Sequence, residues 1–299
     1  MDTDFHEVEA QKFVSIRVIR DLISQGLSSF TMMSLKPHSP AWYDNLAHIQ
    51  QSYYYPWQTT LPLFHGEDVY QEMVRQHLSP TSDVLEVACA QGEFARSLAP
   101  HCQSITAYDR ILPWIQSAQQ EANSQGLTNI TFLCHDSSLE ANNGQACLPA
   151  PDDAFDLLIC SKGPFHWIDD ARRVARPGAV LLMLVPDAVP LTPWHERLPE
   201  RLRWQQPIDP HWARGAIKQR LTEVGLEMDS WWSFDVPEIF PDPEQLYIWL
   251  SWGMSPDEVP SLVEIAPLLG QIFDEYSTAQ GLEIRYHRYI WKAIVAADI

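Results

Sequence analysis

The fold is indicated most clearly by the segment Val84-Leu-Glu-Val-Ala-Cys-Ala-Gln-Gly92, which is followed by Glu93-Phe-Ala-Arg96. An apolar run of strand length leads into a loop of small residues and then into a helical segment. Small side chains at positions 88, 90 and 92 allow a ligand to approach the backbone closely, and Gly92 can adopt a positive φ at little cost. The stretch therefore predicts a strand, a tight ligand-binding loop and a helix in succession, as in several kinds of nucleotide-binding protein.

Strands and helices alternate from this stretch onward. The predicted strands cover residues 84–88, 104–108, 130–134, 155–160 and 179–185, and the predicted helices cover residues 94–98, 115–123 and 169–175. Such apolar runs are typical of parallel strands that are covered on both faces. The pattern predicts an α/β fold with a doubly wound sheet and right-handed crossovers.

The flanks are less regular. We predict helices over residues 8–27, 67–77 and 213–224, late strands over residues 226–234 and 284–295, an irregular aromatic segment over residues 37–65, a proline-rich cap loop over residues 186–210 and a mixed insert over residues 235–283. The predicted organisation is an N-terminal and aromatic cap segment (1–80), a cofactor-binding core (81–186), and a region with the cap loop, the last strands and the substrate-side insert (187–299). The helix over residues 8–27 could pack on the core or on a second subunit, so a homodimer is one expectation.

The amino-acid composition of the chain indicates which kinds of binding partner are disfavoured. The chain has 299 residues, with 20 Lys and Arg against 39 Asp and Glu, and its formal net charge is −19. A nucleic-acid partner is disfavoured, because such binding depends on cationic side chains that neutralise phosphates. No run approaches the roughly 20 apolar residues of a membrane span, and the N-terminus lacks the order of a secretion signal. The five cysteines form no C-x-x-C pair, so we expect no metal site, no membrane partner and a reducing, cytoplasmic location.

A second strand end carries an acidic side chain. Asp109 lies 23 positions after Glu86 and directly follows the predicted strand over residues 104–108. A carboxylate at this place can accept the hydroxyl groups of a ribose, as the acidic residue of dinucleotide sites does. A dinucleotide itself is less favoured, because the G-x-G-x-x-G pattern is absent and Glu93 would repel a phosphate at the start of the following helix.

With these residues in place, the sequence resembles the class I S-adenosylmethionine-dependent methyltransferases over about residues 80–186. The run Ser161-Lys-Gly-Pro-Phe-His-Trp167 is similar to the Ser-to-His-Trp segment of small-molecule members, the trans-aconitate methyltransferase type among them. Arg176-Pro-Gly178 is similar to the family's Lys-Pro-Gly turn before the fifth strand. The resemblance implies a Rossmann-like sheet of seven strands with the last strand antiparallel, and S-adenosylmethionine as the cofactor.

The resemblance also implies roles for particular residues. Glu86, Ala88 and Gly92 would border the methionine part of the cofactor, Asp109 would bind the ribose, Asp136 and Ser137 would lie by the adenine, and Cys160 and Ser161 would face the reacting end; Cys89, Ala90 and Arg110 complete the expected cofactor-binding set. Two of the family's three glycines are Ala88 and Ala90 here. Ala88 is a common variant and Ala90 is not, so the extra methyl group at position 90 could crowd the cofactor or merely reshape the turn.

Methyl transfer needs little from the protein beyond alignment. It is an in-line displacement at a sulfonium-activated carbon, and a general base is required only when the acceptor must lose a proton. His166 is the leading candidate for that base, because it follows the fourth strand at the reacting edge. The alternative is that His166 lies at the start of a helix and hydrogen-bonds the backbone.

Aromatic residues in the flanks are candidates for an acceptor pocket, since broad aromatic faces line sites for apolar or planar ligands. The expected substrate-binding residues are Tyr55, Trp57, Trp167, Trp194 and Trp231. The alternative is that they pack the cap onto the sheet. The Asn-Pro-Pro-Tyr motif of enzymes that methylate nucleobase amino groups is absent, which favours a small-molecule acceptor. A methyltransferase acting on RNA or protein, and a non-catalytic nucleoside-binding protein, stay as alternatives.

Overall fold

The computed structural model describes residues 36–50, 52–187, 189–205, 209, 211–255 and 257–296. The helix predicted over residues 8–27, and the contact with a second subunit that it could make, lie outside the described residues. The compact unit considered below is Lys36–Ile299.

The described residues form one sheet of seven strands. The strands are β1 (Asp83–Val87), β2 (Ser104–Asp109), β3 (Ile130–Cys134), β4 (Phe155–Ser161), β5 (Ala175–Pro186), β6 (Met228–Phe240) and β7 (Leu282–Ile294). Their order across the sheet is β3-β2-β1-β4-β5-β7-β6. Strands β1 to β5 pair in parallel, and β7 runs antiparallel to both β5 and β6. The predicted doubly wound sheet with an antiparallel last strand is confirmed.

Helices cover both faces of this sheet. They are α1 (Pro40–Ile49), α2 (Glu67–Gln76), α3 (Glu93–Leu98), α4 (Leu112–Ser124), α5 (Ile168–Val174), α6 (Trp212–Glu223), α7 (Pro243–Leu250) and α8 (Leu262–Tyr276). Leu85 and Val87 of β1 pack in one apolar cluster with residues of α5 and α6. Val84 packs in a second cluster with residues of α2, α3 and α4. Successive residues of β1 thus face opposite layers, which explains why Val84, Leu85 and Val87 are all apolar.

A third apolar cluster forms the cap beside β6 and β7. It joins Leu246 of α7, Leu269 of α8 and Phe240 of β6 to Trp194 in the proline-rich segment. None of the helices in the described ranges is long and apolar enough to cross a membrane.

Two predictions in the flanks are wrong. Residues 37–65 were predicted to be irregular, but α1 begins at Pro40, where the Ser39 hydroxyl accepts the N–H of Trp42 at 3.2 Å. Proline suits the first helical position because its missing N–H would have no partner there. The strand predicted to end at residue 234 continues to Phe240, so the insert begins at residue 241. The edge position of β6 tolerates Pro237, which cannot donate to a neighbouring strand.

Candidate cofactor and acceptor site

The loop after β1 has an alternating left-handed backbone. The φ angles of Ala88, Ala90 and Gly92 are 55°, 48° and 67°. A left-handed conformation costs an alanine roughly 1–2 kcal/mol, and such strain persists where the surrounding structure enforces it. The two alanines therefore keep the backbone path that glycines would take freely, and the positive φ predicted for Gly92 is confirmed.

Gly92 also has no room for a side chain. A Cβ built on Gly92 would lie 2.2 Å from Cε1 of Phe132, which is buried on β3. The backbone of the loop therefore passes directly over the Phe132 ring of β3, which is separated from β1 by β2 in the sheet. Only glycine satisfies both the close approach and the positive φ.

Asp109 fastens this loop to the end of β2. Its Oδ2 accepts the N–H of Ala90 at 3.0 Å, and its Oδ1 accepts the N–H of Ile111 at 3.0 Å. Burial raises the pKa of this carboxyl group, and the two N–H donors oppose the shift. The structure places Asp109 at the end of β2 beside the loop after β1, and it adds a role that the sequence did not predict, which is to hold the left-handed loop.

Glu86 is a second buried carboxyl group, on β1 directly beneath the loop. Only 5% of the residue is exposed, and its Oε2 has no hydrogen-bond partner among the described residues. Burial raises the pKa of Glu86 to about 8, while the N–H of Ala95 opposes the shift and the charge of Asp109 adds to it. A buried acceptor atom without a donor is costly, so Glu86 is suited to receive a donor from a ligand.

Arg110 and Asp136 extend the site beyond β2 and β3. The Arg110 guanidinium lies 2.9 Å from Oδ1 of Asp44 on α1, and its Nε lies 3.7 Å from Oδ2 of Asp136. The main-chain N–H of Ser138 donates to Asp136 at 2.9 Å. Arg110 thus bridges the cap helix and the cofactor edge, a contact that sequence reasoning did not predict.

His166 is half-buried and contacts a pair of buried polar side chains. Its Nε2 lies 3.0 Å from the hydroxyl oxygen of Ser137, which lies 2.9 Å from the hydroxyl oxygen of Tyr108. Ser137 and Tyr108 are each 3% exposed. Burial lowers the pKa of His166, and the charge of Asp136 opposes the shift. The ring is therefore neutral at pH 7, and it contacts a side chain that the sequence had placed by the adenine.

Cys160 and Ser161 lie where β4 ends, as predicted. Cys160 is fully buried and Ser161 is exposed. A Cβ built on Gly163 would lie 2.6 Å from Sγ of Cys160 and 3.0 Å from Cβ of Ala88. The loop after β4 therefore packs directly on the loop after β1, and the two form one wall of the site.

Part of the expected aromatic wall lies beside these loops. Tyr55 and Trp57 are neighbours with ring centroids 5.0 Å apart, and each ring lies 5.3 Å from Trp252, which precedes α8. The side-chain amide of Gln91 hydrogen-bonds the backbone of Tyr53 at 2.9 and 2.8 Å. This segment is therefore attached to the cofactor loop itself.

Three other tryptophans must be reassigned. Trp167 has no exposed surface and stacks on Trp291 at 5.9 Å, and Trp194 is 1% exposed within the third apolar cluster. Trp231 stacks on Tyr289 at 4.3 Å and lies 3.8 Å from the Arg214 guanidinium. Trp167 and Trp194 stabilise the fold by burying large apolar surfaces, so the structure corrects the expectation that they line a pocket. Trp231 packs on β7 rather than on the aromatic segment.

Sequence reasoning missed a cluster of charged residues at the end of β4. Nζ of Lys162 lies 2.7 Å from Oε1 of Glu67 on α2, and NH1 of Arg288 on β7 lies 3.0 Å from the same oxygen. The one available signal was Lys162 itself, inside the segment that ends in His166-Trp167. Its partners are 95 positions before it and 126 positions after it, too far apart for local patterns to reveal.

Comparison with known proteins shows similarity to methyltransferases in the central part of the chain. Residues 84–182 match a family model described as a methyltransferase domain. A malonyl-[acyl-carrier protein] O-methyltransferase of Paenibacillus sp. (strain JDR-2) is 36% identical over 93 residues, which are 30% of this chain and 31% of that protein. The chain spans less than half the length of the curated relatives that it matches.

Solved structures share the fold over a longer stretch. A functionally unknown protein from Deinococcus radiodurans R1 has a TM-score of 0.59 at 20% identity and covers 85% of this chain and 98% of its own. A putative methyltransferase from Bacillus halodurans C-125 has a TM-score of 0.51 at 18% identity and covers 78% of this chain and 100% of its own. At these identities the likeness concerns the fold.

Proposed function

We propose that this chain, whose residues 84–182 match a methyltransferase-domain family model, is a class I S-adenosylmethionine-dependent methyltransferase that transfers a methyl group to a small-molecule acceptor. S-adenosylmethionine is the cofactor of that domain, and when bound it supplies a methyl group on a positively charged sulfur atom. The observation that carries the proposal is the left-handed loop at Ala88, Ala90 and Gly92, held by the Asp109 carboxylate.

The residues at this edge fit the cofactor by chemical type. Glu86 offers a buried carboxyl oxygen without a donor, and the cationic amino group of the methionine part would favour its ionised form. Asp109 suits the ribose, because its two oxygens each retain acceptor capacity beyond the backbone N–H that they bind. We assign the cofactor to the loop and to the three strand ends beside it: Glu86, Ala88, Cys89, Ala90, Gly92, Asp109, Arg110, Asp136, Ser137, Cys160 and Ser161.

A small acceptor is favoured by charge and by the aromatic segment. The net charge of −19 disfavours a surface that binds phosphates. The Tyr55 hydroxyl group contacts Lys162 in the loop after β4, and Trp57 packs against Tyr55, so this pair of rings suits a planar acceptor. We assign these two side chains to the acceptor pocket.

His166 is our candidate for base assistance. Its ring is neutral near pH 7 because burial lowers its pKa, so it can accept a proton from an acceptor that must lose one. The exposed His101, outside this edge of the sheet, provides a matched control. We expect His166→Ala to slow transfer about 100-fold at pH 7, within the usual contribution of a general base, and His101→Ala to leave the rate unchanged.

The test begins with calorimetry of S-adenosylmethionine and S-adenosylhomocysteine. Transfer of a labelled methyl group to small-molecule extracts then follows at low and high salt. We expect binding of both nucleosides and labelling that persists at high salt, because binding that depends on phosphates weakens steeply with salt. Absence of binding, or labelling of RNA or protein fractions only, would refute the proposal.

A further inference from the structure

A half-buried lysine stands at the edge of the sheet where β4 ends. Lys162 follows Ser161 directly, and its backbone N–H donates to the carbonyl oxygen of Leu184 on β5 at 2.8 Å. Its φ of 59° lies in the left-handed region, which is strained for a lysine. The fold therefore holds Lys162 in place against a local cost, a pattern that is common at functional sites.

The residue after this lysine ties it to the cofactor loop. Gly163 approaches Ala88 so closely that an added Cβ would lie 3.0 Å from the Cβ of Ala88. Lys162 therefore belongs to the wall that the loops after β1 and β4 form together.

Neighbouring charges position the ammonium group. Lys162 and Arg288 share one carboxylate oxygen of Glu67, at 2.7 and 3.0 Å. Burial alone would raise the pKa of Glu67, but the Lys162 ammonium holds it below its usual value. The other carboxylate that faces Lys162 is Glu238, which accepts hydrogen bonds from Trp57 and from another cap side chain. Two cations thus share Glu67, and the ammonium keeps hydrogen-bonding capacity for a further partner.

The phenol oxygen of Tyr55 already accepts a hydrogen bond from the Lys162 ammonium group. Nζ of Lys162 donates to the hydroxyl oxygen of Tyr55 at 3.2 Å and lies 4.9 Å from the centre of its ring. The hydroxyl oxygen of Tyr53 lies 3.4 Å from that of Tyr55. Tyr55 is 40% exposed, so a ligand that enters from solvent can compete with its ring for Lys162.

We propose that Lys162 binds the acceptor oxygen that receives the methyl group, and that the acceptor is a planar compound with an acidic hydroxyl group, a phenol or an enol. The inference rests on the proposed function. The hydroxyl group of Tyr55 takes the place of the acceptor oxygen in this structure, and Glu67 and Arg288 act as positioning residues. The aromatic neighbours Tyr53 and Trp57 suit a planar ring.

The chemistry balances without a further reactant. A nearby ammonium favours the ionised form of the acceptor hydroxyl, whose proton passes to the proposed base His166 and from it to water. A lone pair of the resulting oxyanion forms the new O–C bond while the S–C bond of the cofactor breaks, and that electron pair stays on sulfur. The products are a methyl ether and S-adenosylhomocysteine, and Lys162 remains protonated throughout.

The test uses 4-nitrophenol, whose ionised form absorbs visible light. The probe is titrated with pH in the presence of the protein saturated with S-adenosylhomocysteine. We expect the wild-type protein and Lys162→Arg to bind the phenolate at least tenfold more tightly than the phenol, which lowers the apparent pKa of the probe. Lys162→Met should abolish this preference. The exposed Lys218 of α6 gives the matched control Lys218→Met, which should behave as the wild type.

The outcomes separate this inference from the proposed function. If S-adenosylhomocysteine does not bind the wild-type protein, the proposed function fails. If S-adenosylhomocysteine binds the wild type and Lys162→Met with equal affinity, both proteins are folded and their cofactor sites are intact. In that case, an unshifted probe pKa, an equal shift in Lys162→Met, or no binding of the probe would overturn the role of Lys162.

Discussion

The side-chain amide of Gln91 pairs with both backbone groups of Tyr53. Its Oε1 accepts the N–H of Tyr53 at 2.9 Å, and its Nε2 donates to the carbonyl oxygen of Tyr53 at 2.8 Å. Gln91 lies between the left-handed residues Ala90 and Gly92, whereas Tyr53 belongs to the aromatic segment of the cap. The cofactor loop and the acceptor side of the cap are therefore joined by one amide group.

Loss of this amide should loosen the cap without unfolding the core. Each hydrogen bond contributes about 1 kcal/mol, so we expect Gln91→Ala to speed hydrogen exchange at the Tyr53 N–H about tenfold or more. Binding of S-adenosylmethionine should weaken while the unfolding temperature changes little. Mass-spectrometric exchange over residues 52–60 checks the first effect. Gln119→Ala, an exposed change on α4, is the control, and equal exchange in the two variants would argue against the amide link.

In the strained loop, we expect substitutions at positions 90 and 92 to change the stability of the protein in opposite directions. Ala90→Gly removes a strain of roughly 1–2 kcal/mol, against a backbone entropy cost of about 0.5–1 kcal/mol. We therefore expect it to raise the free energy of unfolding by up to about 1.5 kcal/mol and to leave cofactor binding intact. Urea denaturation measures the change. A clear loss of stability would mean that the methyl group of Ala90 makes contacts that outweigh the strain.

Gly92→Ala should be strongly destabilising. The added methyl group would meet the ring of Phe132 at 2.2 Å and adopt a strained φ, and overpacking together with strain costs roughly 2–4 kcal/mol. Gly126→Ala separates the two causes, because Gly126 has a φ of 70° but nothing within 4 Å of the added atom. The control should lose at most about 1.5 kcal/mol, because the backbone entropy that alanine removes from the unfolded chain offsets part of the strain. Equal losses in urea denaturation would show that the contact with Phe132 relaxes freely.

The sequence could predict the core strands because each is largely an apolar run. It could predict the positive φ of Gly92 because glycine adopts that conformation at little cost. It could not show that Lys162 meets Glu67, since that contact depends on how α2 packs beside β4. The sequence identified aromatic residues but not which of them are buried. Trp167 and Tyr55 therefore looked equivalent, although Trp167 has no exposed surface and Tyr55 is 40% exposed. Pro40 was interpreted as a residue that interrupts regular structure, although it is the first residue of α1.

Asp109 should be essential for the cofactor. We expect Asp109→Ala to weaken binding of S-adenosylmethionine at least tenfold, because a charge-assisted hydrogen bond contributes about 1.5–3 kcal/mol. The structure adds that the N–H groups of Ala90 and Ile111 lose their acceptor as well. Calorimetry measures the affinity, and Asp274→Ala on the exposed side of α8 is the control. Unchanged affinity in a folded Asp109→Ala protein would show that the ribose lies elsewhere.

The raised pKa of Glu86 makes stability depend on pH in a defined direction. The folded protein holds this proton up to about pH 8, whereas the unfolded chain releases it near the ordinary value of 4.5. Between these two values the folded state binds more protons, so rising pH removes stability from the wild-type protein. Glu86→Gln has no proton to lose at this position and should escape that loss.

We therefore expect the stability of Glu86→Gln relative to the wild type to rise by roughly 1–3 kcal/mol between pH 5 and pH 8. Thermal unfolding of both proteins at each pH checks this, because contributions from other groups cancel in the difference. Glu121→Gln, an exposed change on α4, should show no such trend. A difference that stays constant with pH would mean that Glu86 is already ionised in the folded protein. Saturation with S-adenosylmethionine should shrink the trend, since the amino group of the cofactor would favour the Glu86 carboxylate.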